Sequence, residues 1–178
     1  IWPRTVLGAA LLLLFGAHLS RGEDLQRQTL AGLRGVRVYV TIECNAPAFG
    51  QLVVDEEVKT KIELRLRTAG IAVLEDEQML ADPRVPSLDL TVNAMDVSVG
   101  NDSGAEPLQY AVAARLAVNQ KLWVVSKGVP QSGFFADTWS RSGMMTLGST
   151  VLRQGGFARR LDTYLDEFVN AWLASHGK

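Results

Sequence analysis

Few residues in this chain have the types and spacing that chemistry needs. The sequence holds two histidines and one cysteine. His18 falls in an apolar N-terminal segment expected to be cleaved, so His176 is the histidine left to consider, in a tail (Ser175–Lys178) expected to fray. A nucleophile–histidine pair needs a third group to orient the base, and none has an evident place here. One Cys and one His without ligand spacing do not make a zinc site. Gly155–Gly156 resembles a phosphate-binding turn, but the Lys and Ser/Thr of such a turn do not follow, and no clear buried strand precedes it. Carboxylates remain. Asp89, Asp96 and Asp102 lie on or near one hairpin, and Asp55, Glu56 and Glu57 open a helix. Paired acids could serve acid–base work or calcium ligation, yet neither set has a diagnostic spacing, and exposed acids are the ordinary case. The residues point to no enzyme, no cofactor and no metal.

The elements that would position any site are clearer. Val36, Val38, Val40 and Ile42 alternate with Arg37, Tyr39, Thr41 and Glu43, the pattern of a half-buried strand. Cys44–Gly50 contains Asn, Pro and Gly and reads as a loop. A helix follows. Asp55 is placed to cap it, Glu56 and Glu57 suit the positive end of its dipole, and Val58, Ile62, Leu66 and Ala69 share one face. Lys59, Lys61, Glu63, Arg65 and Arg67 then form a solvated face, and Leu64 is left over for a loop or another chain. Gly70 fits the left-handed position after the helix, and Ile71, Val73 and Leu74 begin a strand. Asp76–Ser87 reads as a loop, with a turn around Glu77–Leu80.

In the next strand Leu88, Leu90, Val92 and Ala94 face one way, after which Met95, Val97 and Val99 become the apolar set. A β-bulge would produce that flip. Gly100–Pro107 is a hairpin loop. Leu108–Val125 is the longest strand, and Phe134–Arg141 the last, with Phe135, Asp137 and Trp139 on one side. Gly143–Gly148 is a link. Leu161, Leu165, Phe168 and Trp172 mark a closing helix from about Ser149 to Ala174, weakened at Gly155 and Gly156 so that an effective start near Phe157 is the alternative. The fold expected is an α+β two-layer sandwich in the order β-α-β-β-β-α, with a mixed sheet of about five strands and two helices on one face.

Residues 1–22 carry Arg4, an apolar run from Val6 to Ala17, and small residues at Ser20 and Gly22, the make-up of a secretory signal peptide. The run is shorter than the roughly 20 residues of a membrane helix, so no stable span is expected after cleavage; an uncleaved N-terminal anchor is the competing expectation. Residues 23–34 form a short helical turn or flexible arm, and residues 35–178 a single domain. A periplasmic or secreted location follows from the signal. The formal net charge of −1, without a basic run, argues against nucleic acid. Cys44 is either buried and inert or able to join two copies as a dimer.

If both helices cover one sheet face, the other shows Gln109, Ala111, Ala113, Arg115, Ala117 and Asn119, with Thr91 and Asn93 beside them. An uncovered face of this make-up is a solvent face or a shallow docking surface. Trp139 and Trp172 read as core aromatics; Trp123, at the ragged end of a long strand, is the better exposed contact. The partner-binding residues are therefore Arg115, Asn119, Gln109, Thr91, Asn93 and Trp123. The strand GVRVYVTIE, the helix end ELRLRTAGIAVL, the Thr138–Trp139 strand and the closing LDTYLDEFVNAWL helix together resemble small exported bacterial proteins of uncharacterised function. The layout is also similar to the N-terminal domain of the Tol-system periplasmic propeller protein and, more loosely, to the lipopolysaccharide-transport plug lipoprotein. The resemblance implies a non-enzymatic envelope protein that binds another envelope protein. A small-molecule or lipid carrier is the second expectation, and a carboxylate-based hydrolase the third.

Overall fold

A computed structural model describes residues 24–75, 85–97, 109–127 and 129–177. The signal peptide expected over residues 1–22, the turn at Glu77–Leu80, and the loop at Gly100–Pro107 with its Asp102 lie outside the described residues. The chain folds as an α+β two-layer sandwich on a mixed five-stranded sheet. Its elements are α1 (residues 24–30), β1 (Gly35–Cys44), α2 (Pro47–Leu52), α3 (Asp55–Thr68), β2 (Ala72–Val73), β3 (Ser87–Asp96), β4 (Gln109–Ser126), β5 (Val129–Gly148), α4 (Ser149–Arg153) and α5 (Gly156–Ser175). The strands lie in the order β2-β1-β3-β4-β5. β1 pairs in parallel with β2 and β3, and the rest of the sheet is antiparallel.

α3 forms where the apolar stripe requires it, burying Val58, Ile62 and Leu66. The capping residue is Val54 rather than Asp55, which is already helical; its charge still sits with Glu56 and Glu57 in the first turn, where the dipole favours it. Gly70 ends the helix at φ +75°, a conformation glycine adopts at little cost, and turns Ile71 into the core. The expected solvated face of α3 is partly engaged. Lys61 Nζ lies 2.8 Å from Asp162 Oδ1, and Arg65 pairs with Asp166. The two pairs step together by four residues, so α3 and α5 run parallel side by side. Both pairs are half exposed, and each contributes about 0–1 kcal/mol.

Several expectations are overturned. The loop at Cys44–Gly50 contains α2, with Pro47 in its first turn where the missing N–H is tolerated; its Phe49 is fully buried, edge-on to Tyr110 and Phe157. The weakening expected at Gly155 and Gly156 is a full break: Gly155 takes φ +76°, and the main closing helix starts at Gly156, close to the start near Phe157 that the glycines suggest. Gly143–Gly148 is not a link but the end of β5. β3 carries no bulge: its pairing with β4 runs unbroken from Ser87 to Asp96, and Met95, with a relative exposure of 52%, simply faces solvent. The bulges fall instead between β4 and β5, one of them at Val118/Asn119. There Val118 pairs with Trp139 and Asn119 with Asp137, leaving Thr138 as the extra residue. The expected Phe135–Asp137–Trp139 face is thereby split: Trp139 turns into the core against Phe168, and Asp137 turns out.

The bulge also explains the N-terminal arm. The Thr138 carbonyl accepts a hydrogen bond from Thr29 Oγ1 at 2.9 Å, and Gln120 Nε2 donates to both the Thr29 carbonyl (3.0 Å) and Thr138 Oγ1 (2.5 Å). With Leu30 fully buried, α1 is docked rather than a flexible arm. The tail is likewise held. His176 stacks on Trp172 with ring centroids 4.6 Å apart, and its Nε2 lies 3.0 Å from the Leu33 carbonyl, so it is a peg between the two ends of the domain instead of a frayed residue.

Candidate sheet-face site

Residues paired across neighbouring strands share a face, so the open side of the sheet can be read from the register. One row is Thr41–Thr91–Arg115–Ser142; the next, toward the start of β4, is Glu43–Asn93–Ala113–Met144. On the other side lie Tyr39–Asp89–Ala117–Ser140 and then Arg37–Ser87–Asn119–Asp137. Arg115 forms an ion pair with Asp137, and Asn119 Nδ2 donates to the same carboxylate at 3.4 Å. Thr91, Asn93, Ala113, Arg115, Ser142 and Met144 line a shallow depression of about 370 Å³. Arg37 lies over the Tyr39 ring, 4.2 Å from its centroid.

Of the residues expected from the sequence, the fold brings Arg115, Asn119, Thr91 and Asn93 together on one face. Gln109 sits on the same side but at the end of β4, opposite Gly148. Trp123 lies on β4 opposite Gly133, past the end of β3; the exposure expected of its ring is outside what the structure describes. Asp137, Ser142 and Met144 complete the face without having been legible as part of it. Plain alternation sets Asp137 beside Trp139, because a bulge leaves no mark in the pattern. Ser142 and Met144 lie by a glycine at a point that reads as a link and is in fact strand. Ala117, expected on the open face, has only 2% of its surface exposed there.

Asp89 is the one titratable group on this face with a clear displacement. Burial raises its pKa, a hydrogen bond from Ser87 lowers it, the Asp137 charge raises it and Arg115 lowers it, and the net direction is upward. Its Oδ1 is buried without a hydrogen-bond partner among the described residues. Folding therefore disfavours the ionised form. The contribution to stability is intact below the ordinary value of 3.8 and is lost as pH rises through the higher folded value. Asp89→Asn is expected to raise the melting temperature at neutral pH, with the gain vanishing below about pH 4. A melting temperature no higher than wild type at neutral pH would show that burial is not the governing effect.

Asp89 and Asp137 converge near Arg115 on an open sheet face rather than in a cleft. Asp96 is exposed at the end of β3, away from them. Among the described residues no group of three or more His, Cys, Asp or Glu could hold a metal ion. On the helical side an apolar groove of about 230 Å³ runs between α3 and the α4–α5 break, lined by Val53, Val58, Leu152, Phe157 and Leu161, with Lys61 at its edge. Cys44 is exposed at the end of β1, with Sγ 2.8 Å from the Ala46 carbonyl, which overturns the expectation that it is buried. No helix among the described residues is long and apolar enough to cross a membrane.

Fold and site together define an α+β sandwich with one sheet face left open by the described residues. No protein-family model matches the chain, and no curated protein matches it. Among solved structures, the dodecamer of a single-substitution variant of PelC from Paraburkholderia phytofirmans is similar at 18% identity, over 70% of this chain and 85% of that one, with a TM-score of 0.30. A likeness that slight carries no inference about function.

Proposed function

We propose that this chain is a non-enzymatic, exported envelope protein that binds another envelope protein through its open sheet face, in the periplasm or outside the cell. The observation that supports this reading is the face itself: Arg115, held by Asp137, lines a shallow depression of mixed polar and apolar make-up together with Thr91, Asn93, Ser142 and Met144. A fixed guanidinium on a flat, mixed surface is suited to a protein partner, because it is oriented before contact and keeps donors free for a carboxylate. Export rests on the residue 1–22 pattern, and the envelope setting on the layout similar to the Tol-system domain.

The test is photo-crosslinking in cells. A crosslinking residue at Thr91 or Ser142 is expected to capture the same envelope protein, one at Leu64 on the opposite layer to capture none, and Arg115→Glu to abolish the product. Equal capture from both layers would overturn the reading, as would a hydrolase activity lost on Asp89→Asn or Asp137→Asn. A separate proposal is that the exposed Cys44 joins two copies through a disulfide, to be read on non-reducing gels against Cys44→Ser.

The carrier reading stands second because of the groove between the helices. Its volume falls short of the roughly 300–1,000 Å³ of ordinary ligand pockets, and it opens between helices rather than between helices and sheet.

A further inference from the structure

The pairing of β3 with β4 ends at Ser87 and Asn119. Beyond that point, among the described residues, β4 and β5 pair only with each other, from Gln120–Ala136 to Ser126–Val129. This two-stranded ribbon projects past the sheet with large apolar side chains in water: Leu122 at 38% exposure, Val124 at 49%, Phe134 at 50%, Val129 at 56%, Val125 at 60% and Phe135 at 61%. They occupy both sides of the ribbon. Leu122 pairs with Phe134 on the side that continues the helix-covered face, while Phe135 pairs with Lys121 on the other. An isolated hairpin is marginal in water, and exposed apolar clusters of this kind mark interaction sites.

We infer that the ribbon tip docks into the interfacial region of an anionic lipid surface. Two observations select this occupant. The apolar side chains lie on both sides, and a partner protein laid against the ribbon covers one side only, whereas immersion covers both. Residues 120–136 contain Lys121 and Lys127 and no Asp or Glu, in a chain whose formal net charge is −1. Lysine stems lie along apolar surface while their ammonium groups reach anionic headgroups, an arrangement that a carboxylate would oppose. Pairing with a second copy would instead set these lysines against their own kind.

The apolar run near the N-terminus can bind vesicles by itself, so the readout must be local. An environment-sensitive fluorophore placed at Val124→Cys in a Cys44→Ser background of the full chain reports the ribbon, and one at Leu64→Cys serves as control. With vesicles of phosphatidylcholine and phosphatidylglycerol in equal parts, the Val124 probe is expected to shift to the blue and to be quenched by lipid-borne quenchers. The effect should weaken with salt and with phosphatidylcholine alone. The Leu64 probe should not respond. Phe134→Ser with Phe135→Ser should weaken the Val124 response roughly tenfold or more, since two exposed rings no longer leave water. Both rings are exposed, so the variant folds, which circular dichroism checks, and it leaves crosslinks from Thr91 intact if the sheet-face reading holds.

A silent Val124 probe, or an equal response at Leu64, would overturn the inference. So would equal binding to neutral vesicles. A wild-type dimer in light scattering that becomes monomeric in the Phe134→Ser, Phe135→Ser variant would assign the ribbon to a second copy instead.

Discussion

Phe168→Ala is expected to destabilise the domain by roughly 3–5 kcal/mol, the cost of emptying a buried aromatic site that cannot collapse. Phe168 is fully buried where the two layers meet. Its ring lies edge-on to Trp139 of β5 at 5.1 Å between centroids and tilted against Trp172 of the same helix at 5.9 Å. Trp172 in turn carries the stacked His176 that reaches the Leu33 carbonyl. Removing the phenyl ring therefore undercuts the contact of α5 with the sheet and the peg that joins the chain ends. Against a typical total of about 5–15 kcal/mol, the loss is a large share. Urea titration followed by tryptophan fluorescence reads it as a lower midpoint with an unchanged slope. Phe168→Leu, which keeps most of the volume, should cost under about 1.5 kcal/mol. Equal midpoints for the alanine variant and wild type would mean that α5 is not seated on β5 through this ring.

The alternating strands and the stripe of α3 are legible in the sequence because each is a periodic pattern imposed by one buried face. Val36 and Val38, Leu88 to Ala94, and Tyr110 to Val118 all place their inward set as the spacing requires. The parts that escape have no period. A β-bulge adds one residue, and nothing in Phe135–Trp139 distinguishes a bulged from a regular strand; only the Thr29 contact to the Thr138 carbonyl reveals why it sits there. The six residues of α2 are too few for a helical period, and its Pro47 signals a turn and a helix start equally well. Met95 and Val97 imitate a change of register because exposed apolar residues are common and carry no label. The open face is legible at Thr91, Asn93, Arg115 and Asn119, which lie on regular strands. Its Asp137, Ser142 and Met144 depend on the bulge and on strand continuing through Gly143. Trp123 alone hints at the ribbon, whose exposure follows from β3 being shorter than β4, a relation between strands rather than a property of either.

Gly35→Val should have an effect of a different kind, concentrated at one edge. Gly35 opens β1 and pairs with Ala72, and a Cβ built there would lie 2.5 Å from the Ala72 carbonyl oxygen and 2.9 Å from its Cβ. The nearer obstacle is backbone, so no rotamer change relieves it, and β2 must move. β2 has only two residues, tied to β1 by the pairs Gly35–Ala72 and Val36–Val73 and by the Leu74 N–H donating to the Val36 carbonyl at 3.0 Å. Its displacement pulls on Ile71, which is buried at the end of α3. The expected cost is about 1–3 kcal/mol, as for overpacking elsewhere. Native-state hydrogen exchange separates this from a global effect. The Leu74 amide should lose protection well beyond the global loss of stability, while the amides of α5 should follow the global change alone. Adding Ala72→Gly removes the Cβ contact but not the carbonyl contact, so the rescue should be partial. Full rescue would place the conflict between side chains, and uniform loss of protection would show that β2 opens only when the whole sheet does.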